Sequence, residues 1–320
     1  MRLAAYEHHG HTGLALVEPD GLYPLAPGTD LVHLLMATPA KRMEAIAWAE
    51  RSDKLRLGDV RLLAPLRPPP SMRDFVTFER HVEGVSRAVE GKPGVPDGWY
   101  AHPTFCFMSP YAVIGAHDPV PVPAGCELLD YELELAVVIG RDGRDLTPEQ
   151  AAGHIAGYTI MNDWSARDVQ SREMKLGLGP AKGKDFATTL GPWVVSTDAL
   201  APYLRDDRMD LEMTVELNGT PMGSDRSGNM AWSFPELIAY ASRSAWVRAG
   251  DVIASGTCAS GALAEAWGRS GRHDPPPLRP GDVVTMTIEG IGSISNEVVA
   301  GPAEASPIVP ARRRQGVAAS

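Results

Sequence analysis

The stretch Asp130-Tyr131-Glu132-Leu133-Glu134-Leu135-Ala136-Val137-Val138-Ile139-Gly140 sets an apolar, strand-like run around two glutamates at i and i+2. Side chains alternate across a strand, so Glu132 and Glu134 share one face while Leu133, Leu135 and Val137 share the other. Past the glutamates that first face continues as Ala136 and Val138, so it also turns apolar. Two carboxylates entering such a surface side by side are costly unless positive charge sits between them. A divalent cation supplies that charge, and oxygen ligands suit a hard one such as magnesium. An edge strand with a solvated acidic face is the alternative that these eleven residues leave open.

Downstream, Thr147-Pro148-Glu149-Gln150 predicts a helix start, with Thr147 as cap, Pro148 at the first helical position and Gln150 closing a capping box. A second apolar strand over Ala156 to Met161 runs into Asn162-Asp163-Trp164-Ser165-Ala166-Arg167-Asp168. Asp163 therefore falls at a strand end, where a third carboxylate can join the first two. Gly177-Leu178-Gly179-Pro180-Ala181-Lys182-Gly183-Lys184 looks like a phosphate loop but lacks the first glycine at the required spacing, and Asp185 replaces the Ser or Thr. Lys184 stands at the mouth of another buried strand, Phe186 to Val195, either solvated or aimed at a substrate. Further on, Asn218-Gly219 marks a type I′ hairpin. Ser233 with Glu236 caps a helix running to about Arg243. Two similar turns, Arg248-Ala249-Gly250-Asp251 and Arg279-Pro280-Gly281-Asp282, each launch a strand. The small-residue loop Gly256-Thr257-Cys258-Ala259-Ser260-Gly261 suits close backbone approach to a ligand.

Upstream, Leu66-Arg67-Pro68-Pro69-Pro70-Ser71 reads as an extended linker. It separates a small module, residues 1–66, from a larger domain over 73–303, with 67–72 as the linker and 304–320 as a disordered tail ending near Arg312-Arg313-Arg314. The module carries short strands around His8-His9-Gly10-His11, read as a solvated turn, and a helical pattern from Leu31 to Arg51. After the linker, Asp74 sits at a strand end leading into a short helix with His81. The polar segment from Glu83 to Tyr100 is either an active-site lid or a plain surface loop.

The 320 residues leave room for one large core plus a module. A net charge of −10 argues against nucleic acid or an anionic membrane as main partner, and no apolar run approaches the ~20 residues of a membrane span. Cys106, Cys126 and Cys258 are odd in number and lack zinc-ligand spacing, which fits reduced thiols in the cytoplasm.

Five motifs in order resemble the fumarylacetoacetate hydrolase family over roughly residues 70 to 300. They are Glu132-x-Glu134 in a Val-Val-Ile-Gly strand, Asn162 to Asp168, Gly183-Lys184-x-Phe186, Ser255-Gly256-Thr257, and Ile288 to Gly292 before Asn296. The resemblance implies a mixed α+β, mostly β fold: a β-roll catalytic domain with a small N-terminal α+β domain, paired as a homodimer. It implies a divalent cation, Mg2+ with Mn2+ or Ca2+ as alternatives, held by Glu132, Glu134 and Asp163, with Asp74 added in the hydrolase branch. His81 with Glu265, eight residues after Thr257, would form the water-activating dyad, and Lys184 would stand near the reacting carbonyl. Arg167, Gln170, Thr188 and Thr257 match positions on the substrate side or lining the metal site. One branch of the family puts its dyad glutamate three residues after the histidine; that position is Gly84 here, which favours Glu265. The implied activity is hydrolytic cleavage of a C–C bond in a 1,3-dicarbonyl or acylpyruvate. The alternatives are decarboxylation of an oxaloacetate-type 2-oxo acid and isomerisation of a 2-oxo-dienoate.

Overall fold

Leu133–Ile139 is buried at every position and runs through the middle of a long mixed sheet in a computed structural model that describes residues 1–86 and 94–312. Its antiparallel neighbours are Ile155–Asp163 on one side and Val252–Ala254 on the other. Beyond Val252–Ala254 come Met72–Phe75, parallel to it, and Phe105–Met108. In the other direction follow Thr188–Ser196, Arg2–His8, His11–Glu18 and Gly21–Pro24. Alternation sorts the strand's side chains into different neighbourhoods. Leu133, Leu135, Val137 and Ile139 enter the main core. On the opposite face Ala136 packs with Met72, Met161 and Leu190, and Val138 packs with Leu3, Leu16 and Leu35. Full burial of an aliphatic side chain contributes about 1.5–3 kcal/mol, so four on one face offset the cost of a carboxylate on the other. The solvated acidic edge is thereby excluded: Glu132 is 4% exposed and Glu134 0%. The regular strand begins at Leu133, one residue after Glu132.

A second sheet, in the order Thr220–Arg226, Glu212–Leu217, Val283–Ile288, Gly292–Val299, Val120–Pro121, packs its apolar face into the same core. Asn296 ties the two layers together. Its Oδ1 accepts from Thr189 Oγ1 at 3.1 Å, and its Nδ2 donates to the carbonyls of Gly115 and Asp118. Trp164 Nε1 in turn donates to Thr189 Oγ1 at 2.9 Å. The whole is a mixed α+β, mostly β fold of the kind the motifs implied.

Residues 1–66 extend the first sheet. Arg2 and Leu3 pair with Val195 and Val194, and Leu31, Leu34 and Leu35 pack on Val138, Ala156 and Val194. The single helical pattern from Leu31 to Arg51 is two helices, Leu31–Leu35 and Pro39–Ala49. Thr38 caps the second and Pro39 opens it, since proline has no N–H to continue the first. Asp74 lies near the end of the strand Met72–Phe75, and the short helix Glu79–Val85 that carries His81 begins five residues later, as expected.

Local turn chemistry matches the sequence closely. Thr147–Gln150 and Ser233–Glu236 both form capping boxes. Asn218 and Gly219 have φ of 53° and 74°, the left-handed pair that a type I′ turn requires. In the two similar turns, Asp251 Oδ2 accepts from Arg248 N at 2.9 Å and Asp282 Oδ2 from Arg279 N at 2.7 Å. Among the described residues no helix is long and apolar enough to cross a membrane. The polar segment Glu83 to Tyr100 and the arginine-rich tail fall partly on residues 87–93 and 313–320, which lie outside the described residues.

Gly256 is a loop position where glycine is demanded twice over. Its φ is 78°, and a Cβ there would come 2.3 Å from the Phe75 carbonyl oxygen. Gly256→Ala is therefore expected to destabilise the protein by about 2 kcal/mol or more, measurable by denaturant unfolding, because backbone has to move.

Candidate active site

Three strands carry three acids to one place. Asp74 comes from Met72–Phe75, Glu134 from Leu133–Ile139, and Asp163 is the last residue of Ile155–Asp163. Asp74, Glu134 and Asp163 each offer an oxygen, and these oxygens lie within 4.8 Å of one another. All three residues are buried. Asp74 Oδ1, Glu134 Oε2 and Asp163 Oδ1 have no hydrogen-bond partner, and neither does the adjoining Thr188 Oγ1. Burial pushes the Asp74 carboxyl up to about 6, and Glu134 and Asp163 are also pushed well above the carboxylate range. For Glu134 the neighbouring charges of Asp74 and Asp163 add to burial; for Asp163 the Lys184 ammonium opposes it. Buried carboxylates that crowd together with oxygens left over fit a hard cation.

Glu132 stands beside this group and is differently occupied. Its Oε1 accepts from Arg167 Nη2 at 2.7 Å, and its Oε2 accepts from Lys184 Nζ. The same ammonium donates to Asp163 Oδ2, so Lys184 bridges Glu132 to the acid cluster. Burial alone would raise the Glu132 carboxyl, but Arg167, Lys184 and His81 together hold it well below the usual range. Burial would likewise lower Lys184, and Asp163 and Glu132 outweigh it, so the ammonium stays protonated.

Across from Glu132 is a histidine–carboxylate pair. His81, on the helix Glu79–Val85, places Nδ1 2.9 Å from Glu265 Oε1 and Nε2 3.7 Å from Glu132 Oε1. Glu265 is 0% exposed on the helix Leu263–Ser270, and its Oε2 accepts from Ser260 N at 2.8 Å and Arg269 Nη1 at 3.3 Å. A carboxylate so placed acts as acceptor, which puts the imidazole proton on Nδ1 and leaves Nε2 as the basic nitrogen facing the acids. Gly84 lies against this pair: a Cβ there would come 3.1 Å from both Cβ and Cγ of Glu265. A side chain at position 84 and Glu265 in its present place therefore compete for the same space.

A profile of the fumarylacetoacetate hydrolase C-terminal domain matches residues 71–299. The chain belongs to the fumarylacetoacetate hydrolase family. The oxaloacetate tautomerase YisK of Bacillus subtilis is 34% identical over 260 residues, covering 78% of this chain and 79% of that protein. A fumarylacetoacetate hydrolase from Exiguobacterium antarcticum superposes with a TM-score of 0.72 at 30% identity, covering 94% of this chain and 99% of that one. A 5-carboxymethyl-2-hydroxymuconate delta-isomerase from Mycobacterium smegmatis superposes with a TM-score of 0.68 at 28% identity, covering 94% and 100%.

Within this fumarylacetoacetate hydrolase fold Thr257, Arg167 and Gln170 are tied by hydrogen bonds to the groups just described. Thr257 Oγ1 donates to Glu134 Oε1 at 3.3 Å. Arg167 and Gln170 lie on the helix Arg167–Met174 and bond to each other, Arg167 Nη1 donating to Gln170 Oε1 at 3.1 Å. With Asp130 and Glu132 also on its guanidinium, Arg167 serves an ion-pair network in this structure. Two contributors escaped the sequence reading. Glu173 accepts from the backbone N–H groups of Ala181, Lys182 and Gly183 at 2.9, 2.7 and 3.1 Å, which shapes the loop that delivers Lys184. Asp130 is fully buried between that arginine and the helix bearing Glu265. Its placement at the head of the glutamate run was a signal, but nothing local says which donors surround it.

Proposed function

We propose that the chain is a divalent-cation-dependent hydrolase that cleaves a C–C bond in a 1,3-dicarbonyl or acylpyruvate-type substrate. The observation that carries this reading is the His81–Glu265 pair, whose free imidazole nitrogen faces a cluster of acids with unpartnered oxygens. Asp74, Glu134 and Asp163 would hold the cation, with Glu132 adjoining through Lys184. The all-oxygen donor set suits Mg2+, with Mn2+ or Ca2+ as substitutes. Such a cation, when bound, polarises a carbonyl and stabilises an enolate. Glu265 orients His81, and His81 Nε2 takes a proton from water as the oxygen attacks the carbonyl. Lys184 donates to the oxygen on which negative charge accumulates as the C–C bond opens. Thr188 and Thr257 line the site, and Arg167 and Gln170 fix its substrate-side wall. A homodimer in the cytoplasm belongs to this reading, on the family resemblance and the three free cysteines.

A second reading, keto–enol tautomerisation of oxaloacetate, is favoured by the 34% identity to the Bacillus subtilis tautomerase. It uses the same dyad to move a proton between carbon and oxygen and needs no attacking water. One assay separates the two. The protein with Mg2+ or Mn2+ is given an acylpyruvate and, separately, the enol of oxaloacetate, with products identified by mass spectrometry. Loss of acylpyruvate absorbance with release of a carboxylic acid and a ketone or 2-oxo acid is the result expected for the hydrolase. Enol loss faster than with the metal alone, without any change of mass, would establish the tautomerase instead. No turnover of either substrate would sink both.

A further inference from the structure

The helix Leu263–Ser270 lacks a local cap, because its N-cap residue is Ala262 and makes no side-chain bond. Its first amides are satisfied from far away in sequence. Leu263 N donates to Asp130 Oδ1 at 2.8 Å, and Ala264 N donates to Asp130 Oδ2 at 3.0 Å. Asp130 Oδ1 also accepts from Tyr131 N at 2.8 Å, and Oδ2 from Arg167 Nε and Nη2 at 2.9 and 2.7 Å. Every contact to this carboxylate is therefore a donor, and the residue is 0% exposed. A negative charge at a helix N-terminus is favourable, and a buried charge-assisted bond to arginine is stronger than a neutral one.

The two groups joined here belong to different halves of the site. The helix carries Glu265, which holds His81. Arg167 grips Glu132, which adjoins the acid cluster through Lys184. We propose that Asp130 is a positioning residue whose single carboxylate sets the separation between the His81–Glu265 pair and the acid cluster. The proposal rests on the proposed function above for its kinetic consequence. Its structural consequence, the registration of Glu265 on His81, can be read without turnover.

Asp130→Asn is the informative change. Whichever way the amide turns, its nitrogen faces only N–H donors, so one set of contacts is repelled. With the cation supplied, D130N is expected to keep KM within about threefold of wild type while kcat falls on the order of 10²-fold, since a misplacement near 1 Å has that cost. In the double variant with E265Q no further loss beyond E265Q is expected, because both act through the same imidazole. The second readout is the proton NMR signal of the His81 Nδ1–H held by a carboxylate, expected in wild type, absent in E265Q, and lost or displaced in D130N.

A merely structural cap would lower thermal stability and leave that proton signal and kcat in place. That result in folded D130N overturns the proposal. If D130N does not fold, Asp130→Glu keeps the charge and lengthens the reach by one methylene, and the same loss of signal and kcat is expected. Should neither variant fold, Asp130 is a folding residue and the proposal falls. If wild type turns over none of the substrates, the proposed function fails, while the proton signal still decides the role of Asp130.

Discussion

Asp163→Asn is expected to abolish the thermal stabilisation that Mg2+ or Mn2+ gives the protein, and to reduce turnover by on the order of 10³-fold or more. The substitution keeps the shape of the side chain and removes one of three carboxyls crowded within a buried cluster. The cation-free protein should not suffer in proportion. Burial already pushes the Asp163 carboxyl well above its ordinary range, so the ionised form is the costly one. The signature is a cation-induced rise in Tm that is present in wild type and missing in the variant. An undiminished rise in D163N would mean that the ion sits elsewhere.

The same cluster sets a pH dependence whose sign follows from the raised carboxyls. Asp74 ionises at about 6 in the folded protein against an ordinary 3.8, so the folded state holds that proton more tightly than the unfolded chain. Without a cation, this group makes no difference below pH ~4, and its penalty grows as pH rises towards about 6 and is complete above it, on the order of 3 kcal/mol. The Tm rise on adding Mg2+ is therefore largest at pH 7 to 8 and shrinks towards pH 5, where protons compete for the oxygens.

His81→Ala is expected to leave cation affinity nearly unchanged and to lower kcat by roughly 10²- to 10⁴-fold, the usual range for loss of a general acid–base. The histidine touches the acid cluster only through Glu132, at 3.7 Å, so the ion's oxygens stay in place. Glu265→Gln should reproduce much of the kcat loss, because the amide removes the charge that holds the His81 Nδ1 proton and must set its nitrogen against either His81 Nδ1–H or Ser260 N–H and Arg269. Calorimetric titration with Mn2+ and steady-state kinetics on the same preparations test both statements. A His81→Ala enzyme as fast as wild type would remove the dyad from the reaction.

How much of this was legible in the sequence depended on whether the information was local. The alternation that puts Glu134, Ala136 and Val138 on one face, the two capping boxes and the Asn218-Gly219 turn all follow from residues a few positions apart. The division between the acids did not. Glu132 and Glu134 look equivalent in the sequence, yet Glu134 faces Asp74 and Asp163 while Glu132 is taken up by Arg167 and Lys184. That difference arises from residues that arrive 35 and 52 positions later in the chain. The surroundings of Asp130 were hidden for the same reason, since its partners on Leu263 and Ala264 are backbone groups that no side-chain pattern announces. The break at Thr38-Pro39 was readable, but the apolar spacing across it masked the proline.

The first strand has a protective side. Arg2–His8 lies against Thr188–Ser196, whose other neighbours are Ile155–Asp163 and, at Thr188 and Thr189 alone, Val113–Ile114. Stripped of residues 1–66, the Val194–Val195 end of that strand would offer unpaired amides and carbonyls to any other chain, a template for edge-to-edge aggregation. The segment that supplies none of the acids thus guards the flank of the sheet on which they are mounted.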